Sequence, residues 1–150
     1  MILAEALQQR ADLNKMIAQL ESRMINNATV QEGEKCVEDP KDLLKQYDEC
    51  ISQLEELTSK INITNTKTVV NGKSLTEMMS KRDCLKMKIS ALQNLASSAS
   101  NVGNRYSRTE IKILPAVNVK DLQKQIDSLS KELRLLDNTI QSTNWNTELI

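Results

Sequence analysis

Apolar residues recur along this chain at alternating steps of three and four, in four separate stretches. The first reads Leu3, Ala6, Arg10, Leu13, Ile17, Leu20, Met24, and the second Leu43, Tyr47, Cys50, Leu54, Leu57, Ile61. The third reads Leu75, Met78, Arg82, Leu85, Ile89, Leu92, Ala96, and the fourth Val119, Leu122, Ile126, Leu129, Leu133, Leu136, Ile140. A step averaging about 3.5 residues keeps one stripe facing a neighbouring helix, so each stretch wants a helical partner along its length. The pattern predicts helices over about 2–27, 40–66, 75–98 and 119–143. The expected fold is all-α: a single domain, residues 1–150, forming an antiparallel four-helix, coiled-coil-like bundle with a small β-hairpin or strand appendage.

Local chemistry marks where these helices begin. Asp39-Pro40 offers an N-cap followed by a proline in the first turn, where the missing amide hydrogen costs nothing. Ser74 and Glu77 have the spacing of a capping box, and Asn118 stands three residues before Asp121 with Val117 placed to staple against Leu122. Between the helices, Thr68, Val69 and Val70 run into Asn71-Gly72, a pair suited to turns with positive φ. Residues from Thr109 to Val117 alternate Ile111 and Ile113 with Glu110 and Lys112, so β segments are expected at about 67–73 and 108–117. A Ser-, Asn- and Gly-rich loop is expected over residues 97 to 108, and an acidic connector from Val30 to Glu38. The only Trp lies in the tail from Asn144 to Ile150, where an indole is expected to dock on its own bundle or on another subunit.

Two seam positions are arginines rather than apolar residues. Arg10 lies about two turns into the first helix and Arg82 about two turns into the third, so an up-down-up-down bundle puts both at one height. The second helix reaches that height near Asn62 and Asn65, and the fourth near Asp137 and Asn138. Neither arginine has an acid three or four residues away on its own helix. An uncompensated cation in a partly dry core costs several kcal/mol, so counter-charge is expected from Glu5, Asp12, Asp83 or Asp137 in a register-setting network. The alternative is a small-anion or phosphate pocket in which Arg10 and Arg82 act as guanidinium forks assisted by Asn62 and Asn65.

Composition narrows the field of functions. The chain has no His and no Gly-rich phosphate loop, and no nucleophile paired with a base is recognisable. An enzyme is therefore not the first expectation, and no cofactor is implied. Absence of Phe, with two Tyr and one Trp, leaves no aromatic platform for stacked bases, and the zero net charge opposes duplex binding. Charge is nevertheless uneven, with nine acids against three lysines over residues 31 to 57 and fourteen basic groups against eight acids thereafter. Such runs are expected to line solvent or to choose partner faces. Glu32, Glu34, Glu38 and Asp39 are a candidate set for a hard cation, without the ordered spacing of a calcium loop. Cys36, Cys50 and Cys84 are odd in number and lack metal-ligand spacing, and Cys50, on a seam, reads as a core residue. Neither a signal peptide nor a span-length apolar segment is read, so a cytoplasmic protein without membrane association is expected.

Six ordered segments bring a known family into view: AEALQQRADL, VQEGE followed by EDP, INITNTKT, Arg82-Asp83, RYSRTEI and NWNTEL. Together they resemble a family of small bacterial helical proteins named septicolysin. The resemblance implies a helical bundle of uncharacterised function, and the name implies a membrane-active cytolysin. The residues themselves favour a non-enzymatic structural or interaction protein that forms a homo-oligomer through its long amphipathic helices.

Overall fold

The computed structural model describes residues 1–101 and 111–150. Its elements run α1 (Leu3–Asn26), α2 (Pro40–Lys67), β1 (Val69–Val70), β2 (Lys73–Ser74), α3 (Leu75–Ser100) and α4 (Val119–Asn146). The class is all-α with one small two-stranded hairpin, as the seam pattern predicts. By internal contacts the chain divides into two compact units, Met1–Val69 with Thr143–Ile150, and Val70–Ser142.

In the first unit α1 and α2 form an antiparallel hairpin. Arg23 near the end of α1 pairs with Glu38 just before α2. At mid-length the Cys50 thiol meets the Met16 thioether at 3.4 Å, and further along Gln9 lines a cavity with Gln53 and Leu57. Leu3, Ala6, Leu13 and Leu20 are buried on one helix, and Leu43, Cys50, Leu57 and Ile61 on the other. Each buried Leu or Ile side chain among them contributes about 1.5–3 kcal/mol through removal from water. The chain ends finish the unit: Ile2 and Glu148 form an antiparallel bridge, Leu3 N donates to Thr147 O at 2.8 Å, and Leu149 N donates to Met1 O at 2.9 Å. Ile150 N donates to Thr64 Oγ1 at 3.1 Å, tying the tail to the end of α2.

In the second unit α3 and α4 make a second antiparallel hairpin. Ile89, Ala96 and Ile126 form its buried cluster, with Leu92, Val119, Leu122, Leu129 and Leu133 packed around them. Lys81 reaches Glu132 at 2.6 Å across the pair. The expected caps are present, with Asp39 Oδ1 accepting from Lys41 N at 2.9 Å and Asn118 Oδ1 from Asp121 N at 3.2 Å. Ser74 and Glu77 close a full capping box: Glu77 N donates to Ser74 Oγ and Ser74 N donates to Glu77 Oε2. The turn joining β1 to β2 places Asn71 at φ 52° and Gly72 at φ 79°, the pairing that a two-residue hairpin turn requires.

Two expectations are corrected and a third is narrowed. Residues 97–98 fall in α3 as the expected helix over 75–98 has it, and residues 99–100 extend that helix into the expected loop, because Ala96 and Ala99 are good helix formers and Ser100 Oγ satisfies the Ala96 carbonyl at 2.8 Å. The rest of that loop, and residues 108–110 of the expected second β segment, lie outside the described residues. Residues 111–117 form no strand despite their alternation, since a strand needs a partner ladder and none is present among the described residues. Trp145 is 62% exposed, so its indole is not docked on its own bundle, and another subunit remains as the expected partner.

Candidate functional site

Arg10 and Arg82 occupy the same seam slot of α1 and α3, yet their surroundings differ. Arg82 Nε donates to Asp83 Oδ1 at 3.0 Å, its Nη1 lies 4.0 Å from Asp137 Oδ1, and its side chain is 23% exposed. A guanidinium between two carboxylates is a compensated charge. Arg10 is half-buried in the first unit, and among the described residues it has no ion pair or hydrogen bond. The acids expected to serve it are used elsewhere. Glu5 Oε2 accepts from Ile2 N at 3.1 Å at the start of α1, and Asp12 stands 3.9 Å from Lys15 in solvent.

The two asparagines separate as well. Asn65 is 8% exposed, whereas Asn62 faces solvent at the next turn and its carbonyl takes the Thr66 hydroxyl at 2.9 Å. The acidic set does not converge: Asp39 is an N-cap, Glu38 is held by Arg23, and no three His, Cys, Asp or Glu among the described residues gather to hold a metal. The Arg23 guanidinium keeps the Glu38 carboxyl below its ordinary range by hydrogen bonding. Cys50 is buried as the seam requires, Cys36 is half-buried, Cys84 is exposed, and all three are free thiols.

The residue positions also disclose a pattern that reading the seams one by one missed. Leu3, Ala6, Arg10, Leu13, Ile17 and Leu20 of α1 correspond at one constant offset to Leu75, Met78, Arg82, Leu85, Ile89 and Leu92 of α3. Leu43, Cys50, Leu54, Leu57 and Ile61 of α2 correspond likewise to Leu122, Leu129, Leu133, Leu136 and Ile140 of α4. Both second helices end in I-x-x-T-N-x-x-T, from Ile61 to Thr68 and from Ile140 to Thr147. Structure supports the equivalence independently of spelling. Leu3 and Leu75 are each 0% exposed, Asn65 and Asn144 are each 8% exposed, and Glu5 and Glu77 each accept from the backbone of the residue before their helix. The register within each hairpin also agrees, for the Lys81–Glu132 ion pair of the second maps onto Gln9 and Gln53, which line one cavity in the first.

The chain is therefore a tandem repeat of one helical hairpin, and its two copies treat their arginine oppositely. Asp83 and Asp137, which compensate Arg82, correspond to Ala11 and Thr58 in the first hairpin. Arg10 keeps the cation without the acids.

No helix among the described residues is long and apolar enough to cross a membrane. No curated protein matches the chain. Among solved structures it is similar to a functionally unknown conserved protein from Corynebacterium diphtheriae, 36% identical with a TM-score of 0.94, over 100% of this chain and 99% of that one. The model of a family of unknown function, DUF6847, matches residues 10–149. With most of its length covered by that match, including both arginine positions and the second Thr-Asn motif, the chain belongs to the DUF6847 family.

Proposed function

We propose that this protein is a non-enzymatic structural and interaction protein that self-associates through its long amphipathic helices. One observation carries the reading: several apolar residues at seam spacing in the first hairpin stay partly in solvent. Leu7, Ile17 and Met24 of α1, with Tyr47 and Leu54 of α2, remain half-exposed beside buried neighbours, and Met16, Leu44 and Ile51 are exposed. Apolar surface at coiled-coil spacing is what a further helix covers. Sedimentation equilibrium over a concentration series tests this. A reversible dimer or higher oligomer is expected, and a monomer at every concentration up to hundreds of micromolar would remove the reading.

A second reading, a small-anion or phosphate-binding protein or enzyme built on Arg10, Arg82, Asn62 and Asn65, draws support from the unpaired Arg10 alone. Inorganic phosphate that raises the Tm of the wild type, but not that of Arg10→Met, would move the assignment there. Dye release from vesicles at micromolar protein would instead favour the lytic activity that the septicolysin resemblance implies.

A further inference from the structure

We infer that the partner of Arg10 is Glu21 of a second copy of this chain, in an antiparallel dimer formed by α1 against α1. The inference rests on the self-association proposed above and names the surface and the contact. The motivating feature is the stripe Leu7, Arg10, Asn14, Ile17, Glu21, Met24, which repeats at steps of three and four along one side of α1. Leu7, Arg10, Ile17 and Met24 on this stripe are half-exposed, and Asn14 and Glu21 are exposed. The stripe is available to a partner.

Its order is self-complementary. When two copies of α1 run antiparallel with their midpoint between Lys15 and Met16, Leu7 meets Met24, Arg10 meets Glu21 and Asn14 meets Ile17. Each pairing occurs twice because a two-fold axis makes the contact isologous. Apolar ends then cover apolar ends, and both cations find carboxylates. Side chains of this length bridge helix axes about 8–10 Å apart. Among the described residues Glu21, like Arg10, has no ion-pair or hydrogen-bond partner within its own chain.

The second hairpin is an internal control written into the same molecule. Its corresponding stripe reads Met79, Arg82, Lys86, Ile89, Gln93, Ala96, in which an antiparallel pairing sets Arg82 against Gln93 and supplies no carboxylate. There the arginine is compensated within its own chain by Asp83 and Asp137. Where the acids are internal, the stripe is not self-complementary. Where the stripe is self-complementary, the internal acids are missing.

Charge reversal followed by charge exchange tests the contact in the full-length protein. Sedimentation equilibrium is measured for the wild type, Arg10→Glu, Glu21→Arg and the double variant, with far-UV circular dichroism as a check on helicity. Each single reversal places like charges opposite each other twice and is expected to weaken the dimer at least about tenfold. The double variant restores opposite charges and is expected to return within about threefold of the wild type. Should Arg10→Glu lose helicity, Glu21→Arg, at an exposed position, carries the test alone. Single reversals that leave association unchanged, or a double variant no better than the singles, overturn the contact while leaving self-association standing. A wild type that stays monomeric overturns both.

Discussion

The two helical hairpins share seam, register, capping glutamate and Thr-Asn ending, but they differ in how charge is handled between their helices. In the second, Lys81 faces Glu132 and Arg82 faces Asp83 and Asp137, so each cation near the start of α3 has an acid within its own unit. In the first, Gln9 and Gln53 take the places of the ion pair and Arg10 stands alone. Apolar positions that fill the space between helices are maintained in both copies because any loss leaves a cavity. Flanking polar positions are free to diverge, since exposed pairs are worth little to stability. The two hairpins differ at these flanking positions, and the first is the one whose arginine has no acid partner among the described residues.

The shared framework can be challenged first where effects are largest. Leu3→Ala and Leu75→Ala, at fully buried equivalent positions, are each expected to cost about 2–5 kcal/mol in denaturant unfolding, and a small effect at only one of them would break the equivalence of the hairpins. The helix starts differ more subtly. Ser74→Ala removes one half of a capping box and is expected to cost about 1 kcal/mol, whereas Ile2→Ala has no cap oxygen to lose and should act only through packing.

Thr58→Asp addresses the difference itself. It places a carboxylate where Asp137 stands in the other hairpin, and the expected gain is up to about 1 kcal/mol, read as a raised thermal midpoint that Arg10→Met abolishes. If α1 pairs with a second copy, the same substitution also competes for Arg10 and weakens the dimer. The smallest effect is in acid. The Lys81 ammonium holds the Glu132 carboxyl below its ordinary range, so this pair's stabilisation is present above the unfolded-state value near 4.5 and is lost as pH falls through the lowered folded-state value. Glu132→Gln should flatten that part of the pH–stability profile, while Gln53→Ala, at the matching place in the first hairpin, should leave its acid slope unchanged.

Much of the fold was legible because it depends on local and periodic signals. Alternating steps of three and four located the four α-helices of the described residues, and Pro40, the Ser74–Glu77 box and Asn118 marked three starts to the residue. Helix ends and connectors were less legible. The serine-rich end of α3 reads as a loop by composition, yet Ser100 turns back onto its own helix. The alternation in residues 111–117 reads as a strand, and without a neighbouring ladder it forms none among the described residues. The repeated ending I-x-x-T-N-x-x-T was present in the letters, but it gained meaning once Asn65 and Asn144 were both found buried.

The candidate site divides along the same line. That Arg10 and Arg82 interrupt otherwise apolar seams is a property of the sequence, because periodicity alone assigns them to the stripe that faces a partner helix. Which acids reach them is not, because Asp137 approaches Arg82 across a helix pair, while Glu5 is captured by the amide of Ile2 and Asp12 remains in solvent near Lys15. Likewise a spacing places Asn62 and Asn65 near one height, and only the rotation of α2 buries one and exposes the other. Sequence by itself determined the helices, their seams and the two cationic slots, since these follow from the 3.6-residue turn. Tertiary structure alone decided that Arg82 gains a second acid, Asp137, beside its sequence neighbour Asp83, since that approach brings together side chains from helices distant in sequence.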